Sequence, residues 1–388
     1  MKRNENYILR ELAGVPYLLP CGQNIADHKP GCKINETGVF LWQLLKQDIT
    51  RESLLYALKN HYKALPEDLP GLEKDLDSFL NILRSFGMLA ETDPASSSSA
   101  ASGKYMKAGN LTIKLIGPPA ALSENFNAFF CEDADDVHQT LFIRVGEPSL
   151  HVNGNVLLRS DDFLLIDTDQ KYVLLFPSME YVQEAHLSKD GSLVYFYCQP
   201  PFADQFRDEL FHAIRFPFLY LAQRHDKVVL HSASLLYRNQ AWLFSGVSGT
   251  GKSTHTNLWH ERFQVPLING DLNLLAWENG EPVIQGTPWC GTSGICDPGT
   301  YPLGGIILLK QAPYDRLEEL SSDTKRLLVL QRLISPSWTP ELYDCNLQFL
   351  EKLADRIYIS RLHCTKEFSA AETMKKGIDE YLDSQSPV

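Results

Sequence analysis

Two short apolar runs, YILREL and VPYLLP, are separated by Gly14 and read as strands around a turn. The apolar period then lengthens to that of helices. Asn35 is placed to cap a helix carrying Phe40, Leu41, Leu44 and Leu45, and Thr50 to cap a second carrying Leu54, Leu55 and Leu58. The third pattern is the most regular: Leu72, Leu76, Phe79, Leu80, Leu83 and Phe86 share one face, Gly87 ends it, and MLA can return as a strand. Short strands followed by three helices suggest a small winged-helix-like α+β domain over residues 1–93.

The pattern breaks at PASSSSAASGKYMKAG, residues 94–109. Small polar side chains there cannot bury enough surface to offset backbone ordering, so a flexible linker is expected. Residues 110–204 alternate strand-like runs (LTIKLIG, TLFIRVG, NVLLRS, FLLIDT, YVLLFP, LVYFYC) with polar turns and read as a β-rich lead-in subdomain, closed by a helix near Phe206–Leu221. KVVLHSASLLYRNQAWLFSG then reads as two strands joined by a tight turn at Arg238-Asn239-Gln240. A glycine-rich loop follows, then a helix from Lys252 to His260, and FQVPLINGDLNLL as a strand ending in Asp271. A strand near Val283, the strand GGIILLKQ, helices over much of 321–353, a strand at RIYISRL and a helix at SAAETMKKGIDEYL complete an α/β domain over 205–388.

Composition narrows the classes of function. With 388 residues the chain exceeds one ordinary domain, and 44% apolar with 22% charged residues is a globular profile. A net charge of −12 argues against a broad nucleic-acid footprint. The 8 cysteines form no Cys-x-x-Cys pair, and no histidine cluster has zinc spacing. MKRNENYILREL lacks the apolar core of a signal peptide, and no apolar run approaches the roughly 18 residues that cross a bilayer. A cytoplasmic protein with reduced thiols and no membrane partner is expected.

The chemistry is concentrated in FSGVSGTGKSTHTNLW. Gly246-x-x-x-x-Gly251-Lys252-Ser253 fits the Walker A pattern, in which glycines let successive backbone N–H groups turn toward phosphate oxygens. Lys252 would bring a cation to the β- and γ-phosphates, Ser253 an oxygen to Mg²⁺, and the following helix its positive N-terminus. Gly246, Ser248, Gly249, Thr250, Gly251, Lys252, Ser253 and Thr254 are therefore the candidate ATP contacts. Asp271, closing the next strand, is the candidate second Mg²⁺ ligand, with a plain turn aspartate in Asn-Gly-Asp as the competing reading. His231 closes the run KVVL; its competing reading is a hydrogen-bonded core histidine. QGTPWCGTSGI, residues 285–295, is either a second backbone cradle with Trp289 as a stacking surface or an ordinary turn. His255, one turn into the helix, reads as structural.

HSAS, LFSGVSGTGKSTHTNLW, LINGD, GTPWCGTSG and PLGGIILLKQ, in that order, resemble the HPr kinase/phosphorylase-like branch of the phosphoenolpyruvate-carboxykinase superfamily over residues 205–385. The resemblance implies an α/β P-loop kinase domain that binds Mg²⁺ and ATP, an active-site histidine at His231, transfer to a serine hydroxyl of a protein or peptide, and a homo-oligomer. It also exposes a departure. HPr kinases end the metal-binding strand in two successive aspartates, the first being the general base; here the pair is Gly270-Asp271. Either Asp271 or His231 then takes the hydroxyl proton, or transfer is slow or absent; Lys252 is the third candidate catalytic residue. The N-terminal domain resembles the PqqD family through Tyr17-Leu18-Leu19-Pro20, Asn35-Glu36-Thr37-Gly38 and Leu41-Trp42, over residues 5–92. That implies capture of the leader segment of a ribosomally made precursor peptide as an added strand, against a winged helix with another partner such as DNA. Together the resemblances imply an ATP-dependent kinase acting on a Ser/Thr hydroxyl of a precursor peptide or small acceptor protein. The alternatives are a small-molecule or phosphoenolpyruvate-carboxykinase-like enzyme and a non-catalytic ATP-binding regulator.

Overall fold

The computed structural model describes residues 1–26, 29–47, 49–63, 69–90, 103–132, 134, 136–146 and 154–385. The fold is mixed α/β with large sheets, and the described residues divide into two compact units, one within residues 1–90 and one from residue 103 onward. Among the described residues no helix is long and apolar enough to cross a membrane.

The first unit runs β1 (Lys2–Arg3), β2 (Tyr7–Leu12), β3 (Val15–Pro20), α1 (Gln23–Ala26), β4 (Cys32–Lys33), α2 (Glu36–Leu44), α3 (Arg51–Tyr62), α4 (Leu69–Ser85) and β5 (Leu89–Ala90). Ala13 and Gly14 both take positive φ, 51° and 80°, the twist a two-residue hairpin between β2 and β3 requires. Both expected caps form: Asn35 Oδ1 accepts the Gly38 N–H at 2.8 Å, and Thr50 Oγ1 accepts the Ser53 N–H at 3.1 Å. Leu76, Leu80 and Leu83 of α4 seal against Leu41, Trp42 and Leu58, while Phe79 and Phe86 stay half-buried at the margin. MLA does return as a strand, β5, antiparallel to β1.

The second unit begins with β6 (Lys104–Ala108), β7 (Leu111–Ile116), β8 (Phe130–Cys131), β9 (Gln139–Val145), β10 (Asn155–Arg159), β11 (Leu164–Asp167), β12 (Lys171–Leu175), β13 (Val182–Ser188) and β14 (Leu193–Cys198). These form a nine-stranded sheet in the order β10-β11-β12-β13-β14-β9-β7-β6-β8. Two expectations need correction. The linker was extended too far, because Lys104–Ala108 is a paired strand with Met106 and Ala108 fully buried; the remainder of that stretch, 94–102, lies outside the described residues. Strand β13 was not anticipated, because its sequence VQEAHLS does not read as apolar. Glu184 and His186 are buried there, paired with each other, and Lys171 Nζ lies 3.2 Å from the other ring nitrogen of His186.

Next come α5 (Asp204–Arg224), β15 (Val228–Tyr237), β16 (Gln240–Ser245), α6 (Lys252–Phe263), β17 (Leu267–Asn269), β18 (Leu272–Glu278), β19 (Glu281–Gln285), β20 (Thr300–Gln311), β21 (Arg316–Glu318), α7 (Ser322–Leu330), α8 (Pro340–Ala354), β22 (Tyr358–Cys364) and α9 (Phe368–Gln385). The eight strands follow the order β16-β15-β18-β19-β20-β22-β21, with β17 on β15 and β16 also parallel to β20. That extra pairing joins both ends of the run β16-β15-β18-β19-β20, so the long strands β15 and β20 each serve two sets of partners. The expected turn holds: Arg238 and Asn239 take φ of 50° and 61° between β15 and β16. The strand expected to end in Asp271 is β17, which stops at Asn269, and a further strand, β18, resumes at Leu272 after the break at Gly270-Asp271, the two pairing with different parts of β15. One core unites the nine-stranded sheet with α5, Leu272, Leu274 and Trp289.

Candidate functional site

The handover along β15 builds the site. Val228–His231 pair with β18, ending at His231 opposite Leu272, whereas Ser232–Tyr237 pair with β16, starting at Ser232 opposite Ser245. His231 is thus the last residue on one set of partners, and the break at Gly270-Asp271 falls beside it. The Ser232 N–H donates to the Asp271 carbonyl at 2.9 Å, and Ser245 Oγ donates to the His231 carbonyl at 2.7 Å. Asn269 fixes the break: its Oδ1 accepts the N–H groups of Asp271 and Leu272 at 2.8 and 3.0 Å. The result is a His231 Nε2–Asp271 Oδ1 contact of 3.0 Å, with the side chains 30% and 27% exposed, enough for a substrate to reach. An ionised carboxylate only accepts, so Nε2 carries the proton and Nδ1 is the nitrogen left to take one.

Ser245 leads directly into the glycine-rich loop. Gly249 and Gly251 take φ of 77° and 103°, conformations that turn the backbone sharply at little cost to glycine. Space beside Gly249 is open, and Gln311 at the end of β20 braces the outer side by donating to the Gly249 and Thr250 carbonyls at 3.2 and 3.4 Å. Gly246 packs on Thr250, whose hydroxyl donates to the Val247 carbonyl. Lys252 opens α6, while Ser248, Ser253 and Thr254 are exposed around it. Among the described residues the Lys252 ammonium has no hydrogen bond or salt bridge. Burial lowers its pKa, Asp271 opposes that, and Arg332 adds to it. Beside Ser253 opens a cavity of about 160 Å³, lined by hydroxyls and amides that include Thr256, Asn257, Asn269 and Ser293.

The donor set fits the groups expected from the sequence. An unpaired ammonium, N–H groups at a helix N-terminus and an open glycine turn suit a phosphate chain. Hydroxyl and carboxylate oxygens at Ser253 and Asp271 suit Mg²⁺. Asp271 is ionised at neutral pH: burial pushes its carboxyl up, but the His231 hydrogen bond and the charges of His231, Lys252 and Arg215 outweigh that and hold it below the usual range. One of these neighbours, Arg215 on α5, was missed from the sequence, as was His212 on the same helix. Burial lowers the pKa of His212, as does Arg215, while Asp208 and Asp271 oppose the shift. No local motif marks α5, and only the fold puts these two groups within electrostatic reach of Asp271.

Residues 28–89 match the PqqD family. The family is described as coenzyme PQQ synthesis protein D, and the match spans β4 and helices α2 to α4. Among solved structures, the HPr(Ser) kinase/phosphatase from Coxiella burnetii is similar at 11% identity over 40% of this chain and 95% of that one, with a TM-score of 0.24. No curated protein matches the chain. The PqqD match falls within residues 5–92, where the sequence resembles that family.

The loop after β19 is a correction. Trp289 is no stacking surface: it is 2% exposed, packs on Phe126, Phe211 and Phe218, and donates its indole N–H to the Phe211 carbonyl at 3.0 Å. What reaches the site is the stretch beyond it. The Gly270 N–H donates to the Ile295 carbonyl, and Ser293 Oγ, bonded to the Cys290 carbonyl at 2.7 Å, lies against Gly270. Trp289→Ala should cost about 3–5 kcal/mol of stability in thermal or denaturant melting. Trp289→Phe should leave nucleotide affinity unchanged, and a selective loss of affinity would restore the stacking role. His255, as expected, is internal: it is 2% exposed and stacks on Phe244.

Proposed function

We propose that the chain is a Mg²⁺- and ATP-dependent phosphotransferase whose acceptor is a Ser/Thr hydroxyl on a ribosomally made precursor peptide. Residues 1–93 would form the winged-helix-like leader-binding domain, and residues 205–388 a P-loop kinase domain. The observation that carries the proposal is the convergence of unpaired Lys252, at the start of α6, with the His231–Asp271 pair. The PqqD match supports a peptide partner, which would extend the sheet β2-β3-β4 by one strand. Binding the leader on the same chain would raise the effective concentration of the acceptor.

When bound, Mg²⁺-ATP supplies the transferable phosphoryl group. Gly246, Ser248, Gly249, Thr250, Gly251 and Thr254 would cradle its phosphates, Lys252 would neutralise them, and Ser253 and Asp271 would hold the cation. Asp271 or His231 Nδ1 would accept the hydroxyl proton as the new O–P bond forms and the phosphoanhydride bond breaks, its electron pair leaving on the diphosphate. Such chemistry depends mainly on positioning and charge, so the absence of a first aspartate does not forbid it.

Purified protein with Mg²⁺, ATP and a candidate precursor should add one phosphate to the peptide by mass spectrometry, and Lys252→Ala should abolish this. A leaderless peptide should be modified far more slowly. Equal rates with and without the leader would favour a small-molecule kinase. ATP binding with no transfer would favour a nucleotide-binding regulator, the reading that glycine at position 270 supports.

A further inference from the structure

Arg215 lies on α5 four residues after Phe211 and three before Phe218, so the three share one helix face. Phe211 and Phe218 pack on Trp289 with ring centroids 6.0 and 4.8 Å apart. Two residues beyond Trp289, a Cβ added at Gly291 would stand 3.1 Å from the Cβ of Asp271. This face of α5 is therefore held against the segment that touches Asp271. Among the described residues the Arg215 guanidinium has no hydrogen bond and no salt bridge; its ring contact is Phe216, at 5.5 Å. Burial works against its charge and Asp271 works for it. A half-buried guanidinium without a partner is costly, and the cost is offset when an anion binds.

Four other arginines of the second unit have different surroundings. Arg262 pairs with Glu372 and Arg326 with Asp355, while Arg316 lies over the Tyr314 ring. Arg332 gives its carbonyl to the His231 N–H at 3.0 Å, its guanidinium donates to the Gln331 carbonyl at 3.2 Å, and its charge acts on Lys252.

We propose that Arg215 is a further catalytic residue, contacting the phosphoryl group in flight beside Asp271 and His231 and stabilising the charge on its oxygens. This rests on the reading of the site as a phosphotransferase centre. The step is the one already given: the acceptor oxygen bonds to phosphorus, the phosphoanhydride bond breaks with its electron pair on the diphosphate, and the hydroxyl proton passes to Asp271 or His231. Arg215 takes no proton and forms no covalent bond. A guanidinium in this role contributes roughly 10³-fold or more to turnover and little to ground-state nucleotide binding.

The test uses full-length protein carrying Arg215→Lys, Arg215→Gln or Arg215→Ala, with melting temperature as the fold control. A fluorescent ATP analogue should bind each variant within roughly threefold of the parent, whereas Mg-ADP-fluoroaluminate, which mimics the phosphoryl group in flight, should bind at least roughly 10²-fold more weakly. Peptide phosphorylation should fall in parallel, and added guanidinium ion should partly restore the Arg215→Ala variant. Unchanged fluoroaluminate binding overturns the proposal. So does equal loss of both affinities with a lowered melting temperature, which means a structural role, or a change confined to KM for the peptide. Lys252→Ala serves as the independent control: if it leaves ATP-analogue binding intact, the phosphotransferase site itself is wrong, whatever Arg215 does.

Discussion

Asp271→Asn is expected to lower phosphoryl transfer by roughly 10³-fold or more while leaving the fold intact. The backbone at this position is pinned independently of the carboxylate, by the Ser232 N–H on its carbonyl and Asn269 Oδ1 on its own N–H, so an isosteric amide disturbs little. What is lost is the negative charge that Lys252, His231 and Arg215 share, the oxygen suited to a cation and the proton acceptor. His231→Gln removes only one partner and should cost less, roughly 10²-fold. Single-turnover transfer to the peptide, followed by mass spectrometry, separates the two. Retention of more than about a tenth of the parent rate in Asp271→Asn would eliminate the carboxylate as ligand and base. The sign of the pH effect follows from the lowered pKa. Asp271 contributes stability above the ordinary carboxylate range and loses it as pH falls through its depressed folded value. Asp271→Asn should therefore melt with a flatter dependence on pH in acid.

Gly270→Asp, which would place two aspartates in succession at 270 and 271, is expected to destabilise the protein and to add no base. The position needs glycine for space rather than for backbone conformation. A Cβ there would stand 2.0 Å from Ser293 Oγ, 2.6 Å from Ser293 Cβ and 2.8 Å from the Cys290 carbonyl oxygen. Forcing the loop away should cost about 3 kcal/mol, or a fall in melting temperature of roughly 6–10 °C for a unit of this size. Ser293→Gly on the same chain should recover part of the loss, because the backbone carbonyl of Cys290 remains in the way. The double-mutant cycle should show at least about 1 kcal/mol of coupling. A Gly270→Asp protein as stable as its parent would mean that the loop yields and that the missing aspartate is a matter of chemistry alone.

The sequence determined the elements whose cause is local. Alternation and helical spacing report on neighbours within a turn or two, and so the caps at Asn35 and Thr50, the tight turn at Arg238-Asn239 and the helix opening at Lys252 were all legible. The glycine turn before α6 was legible for the same reason: its parts are contiguous, and glycine is chosen for the backbone it allows. Strand β13 was not, because Glu184 and His186 are buried by pairing with each other, which a polarity pattern reads as exposure. Asp271 and His231 could be named as candidates from the sequence, but their 3.0 Å contact arises from β15 changing partners at His231 and from the chain break that Asn269 holds. Tertiary structure alone decided that Trp289 belongs to the core, that Ser293 fills the space beside Gly270, and that α5 holds the Arg215 charge within electrostatic reach of Asp271. Each of these depends on side chains distant in sequence meeting through sheet register and helix packing, and a one-residue change of register would turn the same side chains to the other face.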